Sequence, residues 1–285
     1  MSEHAALGLG LALTDLGHRE LVVDEEYAYR HLRSLGVAEV AARASTRCGM
    51  IAPPAVIHYE PHLGWPEPPE FGGAQRRLNN SVDWQYFRSI AVGDVLVLAN
   101  RLVDRYVRRN RDHIVYEMTA ATTSGDLVAV ARRVSSHAAE PAMTPEAIPV
   151  REAEPSGYGG DVAPNIPIGK MVFDEEALSF HESPSELNYH NSKEVAVAAG
   201  FKDILVAGAH QFAAVSMAIH TYFAPRWNSG VQRLRIKFLQ PVYINQQLEL
   251  TAAAPRVSPL SARMSVDIAG EVNGALCCIA TFTIG

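Results

Sequence analysis

Two hydrophobic periods alternate along the chain, and the alternation occurs twice. Over residues 24–43 the apolar positions Tyr27, Tyr29, Leu32, Leu35, Val37, Val40 and Ala41 recur three or four residues apart, which predicts helix. Asp24 is suited to cap its start, and Gly36 divides it into two shorter helices. The segment up to about Val22 is expected to be loosely attached. Pro53-Pro54 ends any helix before it and suits the first turn of another. Residues 59–73, rich in proline and glycine, predict an excursion loop. From Asn79 the period becomes two. Residues 82–87 alternate, while 95–106 and 113–123 are rich in β-branched and aromatic residues. After a Ser124-Gly125-Asp126 turn, 127–135 continues as a strand. The first half therefore reads as helix followed by antiparallel meander.

The second half repeats the plan. Residues 178–223 predict loop and helix, with a long apolar run over 209–223. Strands are expected at 232–240, 247–256, 261–272 and 275–284, the last two joined by an Asn273-Gly274 turn. The repeat aligns Phe87…Gly93-Asp94…Leu96 over Phe238…Ile244-Asn245…Gln247. Residues 140–164, dense in proline, glycine and acids, read as a linker. The expected domains are residues 1–142, a linker at 143–165, and 166–285. A sheet wrapped around one helix buries only one of its faces. Two such units hide two edge strands by pairing edge to edge, which makes the chain an internal dimer of class α+β.

Composition narrows the function. The chain has 285 residues, 48% hydrophobic and 20% charged, with a formal net charge of −6. With no basic stripe interleaved with aromatics, nucleic-acid binding is not expected. The cationic cluster at 105–111 reads as a solvated hairpin turn, with contact to an anionic ligand tail as the sharper alternative. Cys48, Cys277 and Cys278 give neither a disulfide framework nor zinc spacing. The adjacent pair reads as buried structural thiols, and a reducing cytoplasm fits. The start of the chain lacks a secretory-signal pattern, and no apolar run reaches the roughly 18 residues of a membrane span. No metal site is expected, since no His/Asp/Glu/Cys set has ligand spacing.

The stretch with the most chemistry is Leu187-Asn188-Tyr189-His190, followed by Ala199-Gly200-Phe201 and Val206-Ala207-Gly208-Ala209-His210. A histidine in a polar loop can move a proton. A glycine that opens a buried helix offers N–H groups at the positive end of the dipole. Each residue also has a plainer reading. Asn188 suits a helix N-cap before Ser192, His190 a structural loop residue, His210 a packed helix residue, and His58 and His62 structural roles.

These residues resemble the MaoC-like (R)-specific enoyl-CoA hydratases and dehydratases. Their double hotdog fold is two tandem units, each an antiparallel sheet wrapped around a central helix. The resemblance spans roughly residues 20–285 and rests on Phe87…Gly93-Asp94, on Phe238…Pro241-Val242, and on the spacing of His190, Ala196, Gly200-Phe201 and Gly208. The family's loop reads Gly-Asp-x-Asn-Pro-x-His. His190 takes the histidine's place, Ser185 stands where the aspartate belongs with Glu186 beside it, and Leu187-Asn188 replaces Asn-Pro. The usual His-Gly at the helix start is Ala207-Gly208.

The resemblance implies hydration or dehydration of an acyl thioester carried on coenzyme A or acyl carrier protein, without a cofactor. His190 is then the acid/base, with Glu186 or Asn188 its partner. Gly208 and Ala209 become oxyanion donors, with Ser185 and His210 nearby, and the first half supplies the acyl tunnel. A homodimer is compatible with such a chain. Because serine replaces the aspartate, two alternatives stay open: a repurposed isomerase, cyclase or thioesterase, and a non-catalytic acyl-binding protein.

Overall fold

The computed structural model describes residues 14–35, 54–58, 78–109, 111–138, 164–179, 187–222, 231–259, 261 and 263–285. In the first half β1 (Thr14–Val22) and α1 (Glu25–Arg33) precede a 3₁₀ turn (Pro54–His58). Four strands follow: β2 (Leu78–Tyr86), β3 (Val95–Arg108), β4 (Arg111–Thr122) and β5 (Leu127–Ala138). The second half holds β6 (Ile166–Val172), α2 (Glu175–Ser179), α3 (Lys193–Ala198) and α4 (Gly208–Tyr222). It closes with β7 (Gln232–Phe238), β8 (Gln247–Ala252), β9 (Arg256–Val257), β10 (Met264–Val272) and β11 (Ala275–Ile284).

All strands join one antiparallel sheet in the order β1-β3-β4-β5-β2-β7-β11-β10-β8-β6, with β9 paired to β10. Read outward from its middle, the two halves have the same order, which is the internal dimer expected from the repeat. The seam is β2 against β7, with Val82 opposite Ile236, Trp84 opposite Leu234 and Tyr86 opposite Gln232. Because β-strand side chains alternate, these three pairs face inward and are buried. On the outer face Arg233 donates to both Asp83 carboxylate oxygens at 2.8 and 2.6 Å, and Arg235 lies 3.3 Å away.

Helix α4 is buried continuously from Ala209 to Ile219. A helix apolar on every side needs cover on every side. Here β6 approaches at Gly169, where an added Cβ would meet Ala218 at 3.3 Å. The 3₁₀ turn closes another flank, with the His58 ring 4.3 Å from that of Phe212. Cys277 and Cys278 are buried, and burial pushes the Cys278 thiol up to about 12. Both are packing residues, not nucleophiles.

Several expectations change. From Thr14 to Val22 the segment is not loose, because β1 pairs with β3 from Thr14↔Leu102 to Val22↔Val95; residues 1–13 lie outside the described residues. Helix α1 stops at Arg33, and Asp24 caps it by accepting from Tyr27 N at 2.7 Å. The second helix suggested beyond Gly36, the 59–73 loop, the 140–164 linker, Cys48 and His62 lie outside the described residues. Strand β6 and helix α2 were not expected. Strand β8 ends at Ala252, ahead of Pro255, instead of continuing to Arg256.

The repeat also shifts by one residue at the turn before β3 and β8. Gly93 (φ 99°) is matched by Asn245 (φ 61°), not by Ile244. Asp94 is accordingly matched by Gln246. The Asp94 carboxylate accepts from Ala91 N at 2.9 Å, and Gln246 Oε1 accepts from Tyr243 N at 2.9 Å. Gly93 N donates to Val23 O at 2.7 Å and Asn245 N to Phe173 O at 2.8 Å. A left-handed residue followed by a side-chain acceptor makes the same turn with different residues.

Candidate active site

The loop before α3 is shaped by its asparagines. Asn188 N donates to Asn191 Oδ1 at 2.7 Å, His190 N donates to Asn188 Oδ1 at 2.7 Å, and Ser192 N donates to Asn188 O at 2.9 Å. Asn188 is therefore not the helix cap. Ser192 caps α3, accepting from Val195 N at 3.3 Å. Asn188 holds an Asx-type turn that fixes the backbone of His190.

A second tether brings His190 to the start of α4. Leu205 N donates to Tyr189 O at 2.9 Å, and His190 Nδ1 lies 2.6 Å from Leu205 O. A carbonyl can only accept, so in the neutral ring the proton sits on Nδ1 and Nε2 is the basic nitrogen. The 204–206 segment is itself clamped. Ile204 O accepts from Ile244 N at 3.0 Å, and Val206 N donates to Val242 O at 2.8 Å. Tyr189 packs below, buried with Ala196 and Leu205 and 5.5 Å from the Phe201 ring.

Three residues beyond Leu205, α4 begins. Ala207 O accepts from His210 N at 3.0 Å and Gln211 N at 3.3 Å. The N–H groups of Gly208 and Ala209 belong to the first turn, where a helix provides no acceptor of its own. Gly208 is required by close approach. An added Cβ would lie 3.1 Å from both Cβ and Nδ2 of Asn79 and 3.2 Å from Phe238. Asn79 belongs to β2, so the first half of the chain reaches the helix start in the second, and Asn79 Oδ1 accepts from Ser135 Oγ at 3.2 Å.

The structure ties the loop of Asn188 and His190 to Leu205, three residues ahead of Gly208 and four ahead of Ala209. Ser185 and Glu186 lie outside the described residues. His210 points into the core, fully buried with its ring edge-on to Phe173 at 5.8 Å. His31 and His58, both buried, feel its charge. Burial lowers both of these imidazoles to about 3, helped at His31 by His210 and at His58 by Arg133 and then His210. Among the described residues no set of three or more His, Cys, Asp or Glu is placed to hold a metal. No described helix is long and apolar enough to cross a membrane.

In the interior of the first half the sequence points to His58 as a possible tunnel residue but not to its neighbours. His58 Nδ1 accepts from Trp84 Nε1 at 2.7 Å. Beside this pair Asn100, Tyr116 and Arg133 are buried around a cavity. The signal was there: Leu96, Leu98, Asn100 and Leu102 share one strand parity, so Asn100 had to face inward.

Neither a protein-family model nor a curated protein matches the sequence. Solved structures do match it. A MaoC-like dehydratase from Phytophthora capsici superposes with a TM-score of 0.75 at 13% identity, covering 99% of this chain and 98% of its own. A second MaoC-like dehydratase gives 0.72 at 15% identity, over 96% and 97%. A Mycobacterium tuberculosis protein described as having a double hotdog fold gives 0.61 at 14% identity, over 95% and 94%. The chain has the double hotdog fold of the MaoC-like dehydratases along nearly its whole length.

Proposed function

We propose that the protein adds water to, or removes it from, an enoyl/3-hydroxyacyl thioester of coenzyme A or an acyl carrier protein. The observation that supports this reading is the His190 imidazole, oriented through Nδ1 by the carbonyl of Leu205, three residues ahead of α4. In the hydration direction, Nε2 takes a proton from water as the water oxygen bonds to Cβ. The displaced electron pair moves onto the thioester oxygen, which the N–H groups of Gly208 and Ala209 hold. Such donors commonly supply about 3–4 kcal/mol. Cα then takes its proton from the partner acid, Glu186 in this reading, while Asn188 keeps the loop in shape. This chemistry needs no cofactor.

The test is turnover of crotonyl-CoA and of longer (R)-3-hydroxyacyl thioesters by the purified full chain. His190→Ala is expected to lower kcat by about 10²–10⁴-fold, the usual worth of a positioned acid/base, with the melting temperature nearly unchanged. No turnover of any enoyl or hydroxyacyl thioester by folded protein overturns the reading. Ser185, at the aspartate's place, favours thioester hydrolysis as the second reading. Release of free thiol without change at the Cα–Cβ bond would establish it. If Glu186→Gln is silent, the carboxylate partner is wrong.

A further inference from the structure

The start of α4 lies at the end of the seam between the two halves. The β2–β7 ladder stops at Ser81↔Lys237. Just beyond it Gly208 sits between the side chains of Asn79 from β2 and Phe238 from β7. Every residue from Leu205 to Ile219 is buried except Gly208, so this stretch is reached from outside at that one point.

An irregularity in β2 brings Asn79 there. Val82, Trp84 and Tyr86 face inward, opposite Arg133, Ala131 and Ala129 of β5. Strict alternation would turn Asn80 inward next and Asn79 outward. Instead the register skips one residue between Ser81↔Val134 and Asn79↔Ser135. Asn79 therefore faces the interior, opposite the fully buried Ser135. Such bulges are over-represented beside active sites, where they re-aim a side chain. The adjoining residue, Leu78, packs against the cluster of Tyr189, Ala196 and Leu205. One end of β2 thus touches both the loop that carries His190 and the start of the helix.

The Asn79 amide is also oriented. Ser135 Oγ donates to its Oδ1 at 3.2 Å, which leaves the N–H₂ end, a donor only, for the helix start. An added Cβ on Gly208 would lie 3.1 Å from Nδ2. Because a Cβ stands about 2.5 Å from the nitrogen of its own residue, Nδ2 is within about 5.6 Å of Gly208 N. Two N–H donors that share one oxygen at about 2.9 Å each can stand as much as about 5.8 Å apart. The two nitrogens are close enough to hold the same oxygen.

We propose that Asn79 is a third donor to the thioester oxygen, its Nδ2 joining the N–H groups of Gly208 and Ala209. The assignment rests on the thioester reading above. As water attacks Cβ and the displaced electron pair moves onto the thioester oxygen, the amide N–H strengthens its bond to the growing charge and keeps its proton. The first half then supplies a catalytic group to the helix of the second, and neither half holds the whole oxyanion site.

The carbonyl stretch of a bound, non-reacting thioester reads this contact without turnover, since a hydrogen bond to the oxygen weakens the double bond and lowers its frequency. Butyryl- and octanoyl-CoA, isotopically labelled at the carbonyl carbon, are bound to the full chain and followed by infrared difference spectroscopy. The wild-type band is expected below its position in Asn79→Ala and in Asn79→Asp. Asn79→Asp keeps the size of the side chain and the oxygen that Ser135 bonds while removing both N–H groups, so it separates the donor from the packing and decides the point if Asn79→Ala loosens the bulge. In the crotonyl-CoA assay both variants are expected to lower kcat by about 10²–10³-fold, the usual worth of one such donor. KM is expected to change little, because the bond gains most in the transition state. A band that keeps its wild-type position in Asn79→Asp overturns the proposal and leaves Asn79 as a packing residue at the end of the seam. A band that depends on Asn79 without turnover of any enoyl thioester upholds the donor and rejects the hydratase reading. Turnover at a rate indifferent to Asn79 upholds that reading and rejects the donor. If neither ester binds the wild type, the proposal falls.

Discussion

Gly208 shows how one residue ties the two halves to the candidate chemistry. Asn79 and Phe238 press against it closely enough that even a methyl group finds contacts of 3.1 and 3.2 Å. Gly208→Ala requires the Asn79 and Phe238 side chains to give way by a few tenths of an ångström. The expected cost is about 1–3 kcal/mol, as for other overpacked sites, measured by urea denaturation. Since the displaced atoms surround the proposed oxyanion donors, kcat is expected to fall further than stability alone explains. A variant with wild-type stability and rate would remove Gly208 from the site. Sequence spacing placed His190 and Gly208 near one another because both lie in one continuous segment. It could not show Leu205 orienting the imidazole, since that contact depends on how 204–206 is clamped by 242–244. Nor could it show Asn79, which arrives from the other half. Asparagine at 188 suits both a helix cap and a brace for the loop. Only the backbone path decides between capping α3, which Ser192 does, and holding His190.

The elements divide by how much of each one is buried. Strands β2, β3, β4, β7, β10 and β11 have a covered inner face, so their sequences alternate or run apolar and could be read directly. The two outermost strands could not. In β6 only Met171 is buried, and along β1 no residue from Asp15 to Val22 is. With almost nothing to bury, they carry no hydrophobic period. A different signal was available: Val23-Asp24-Glu25-Glu26 and Phe173-Asp174-Glu175-Glu176 are the same junction in the two units. Asp24 accepts from Tyr27 N at 2.7 Å and Asp174 from Ala177 N at 2.8 Å, so both cap the helix that follows. The matched turns give a prediction at this scale. Asn245 holds the left-handed conformation that glycine holds at 93. Asn245→Ala is expected to cost about 1 kcal/mol, since a non-glycine residue without a polar side chain is disfavoured there, while Asn245→Gly stays near neutral. Equal midpoints for the Ala and Gly variants in urea would show that the turn carries no such constraint.

At the scale of the whole molecule, three histidines meet where the halves join: His31 after the first half's capped junction, His58 on the 3₁₀ turn, and His210 on α4. All are fully buried. Burial is the main reason that the imidazoles of His31 and His58 fall to about 3. The neighbouring His210 acts on both, and Arg133 acts on His58. In the unfolded chain each would titrate near 6.5. Above that pH both states leave them neutral and the full stability is present. As pH falls below about 6.5 the unfolded chain takes up protons that the folded core refuses, so stability declines steadily toward pH 3. Each such histidine contributes a slope approaching 1.4 kcal/mol per pH unit, an order-of-magnitude figure. Two of them remove about 4 kcal/mol between pH 6.5 and pH 5, a large share of the stability of an ordinary chain. Unfolding free energies from urea titrations between pH 8 and 4.5 are expected to be flat at the alkaline end and to drop below about 6.5. His31→Leu is expected to reduce the slope by about one proton, whatever it does to the absolute stability. A wild-type profile that stays level from pH 7 to pH 5 would mean that these imidazoles are charged in the folded protein, and so that the junction between the halves opens to water.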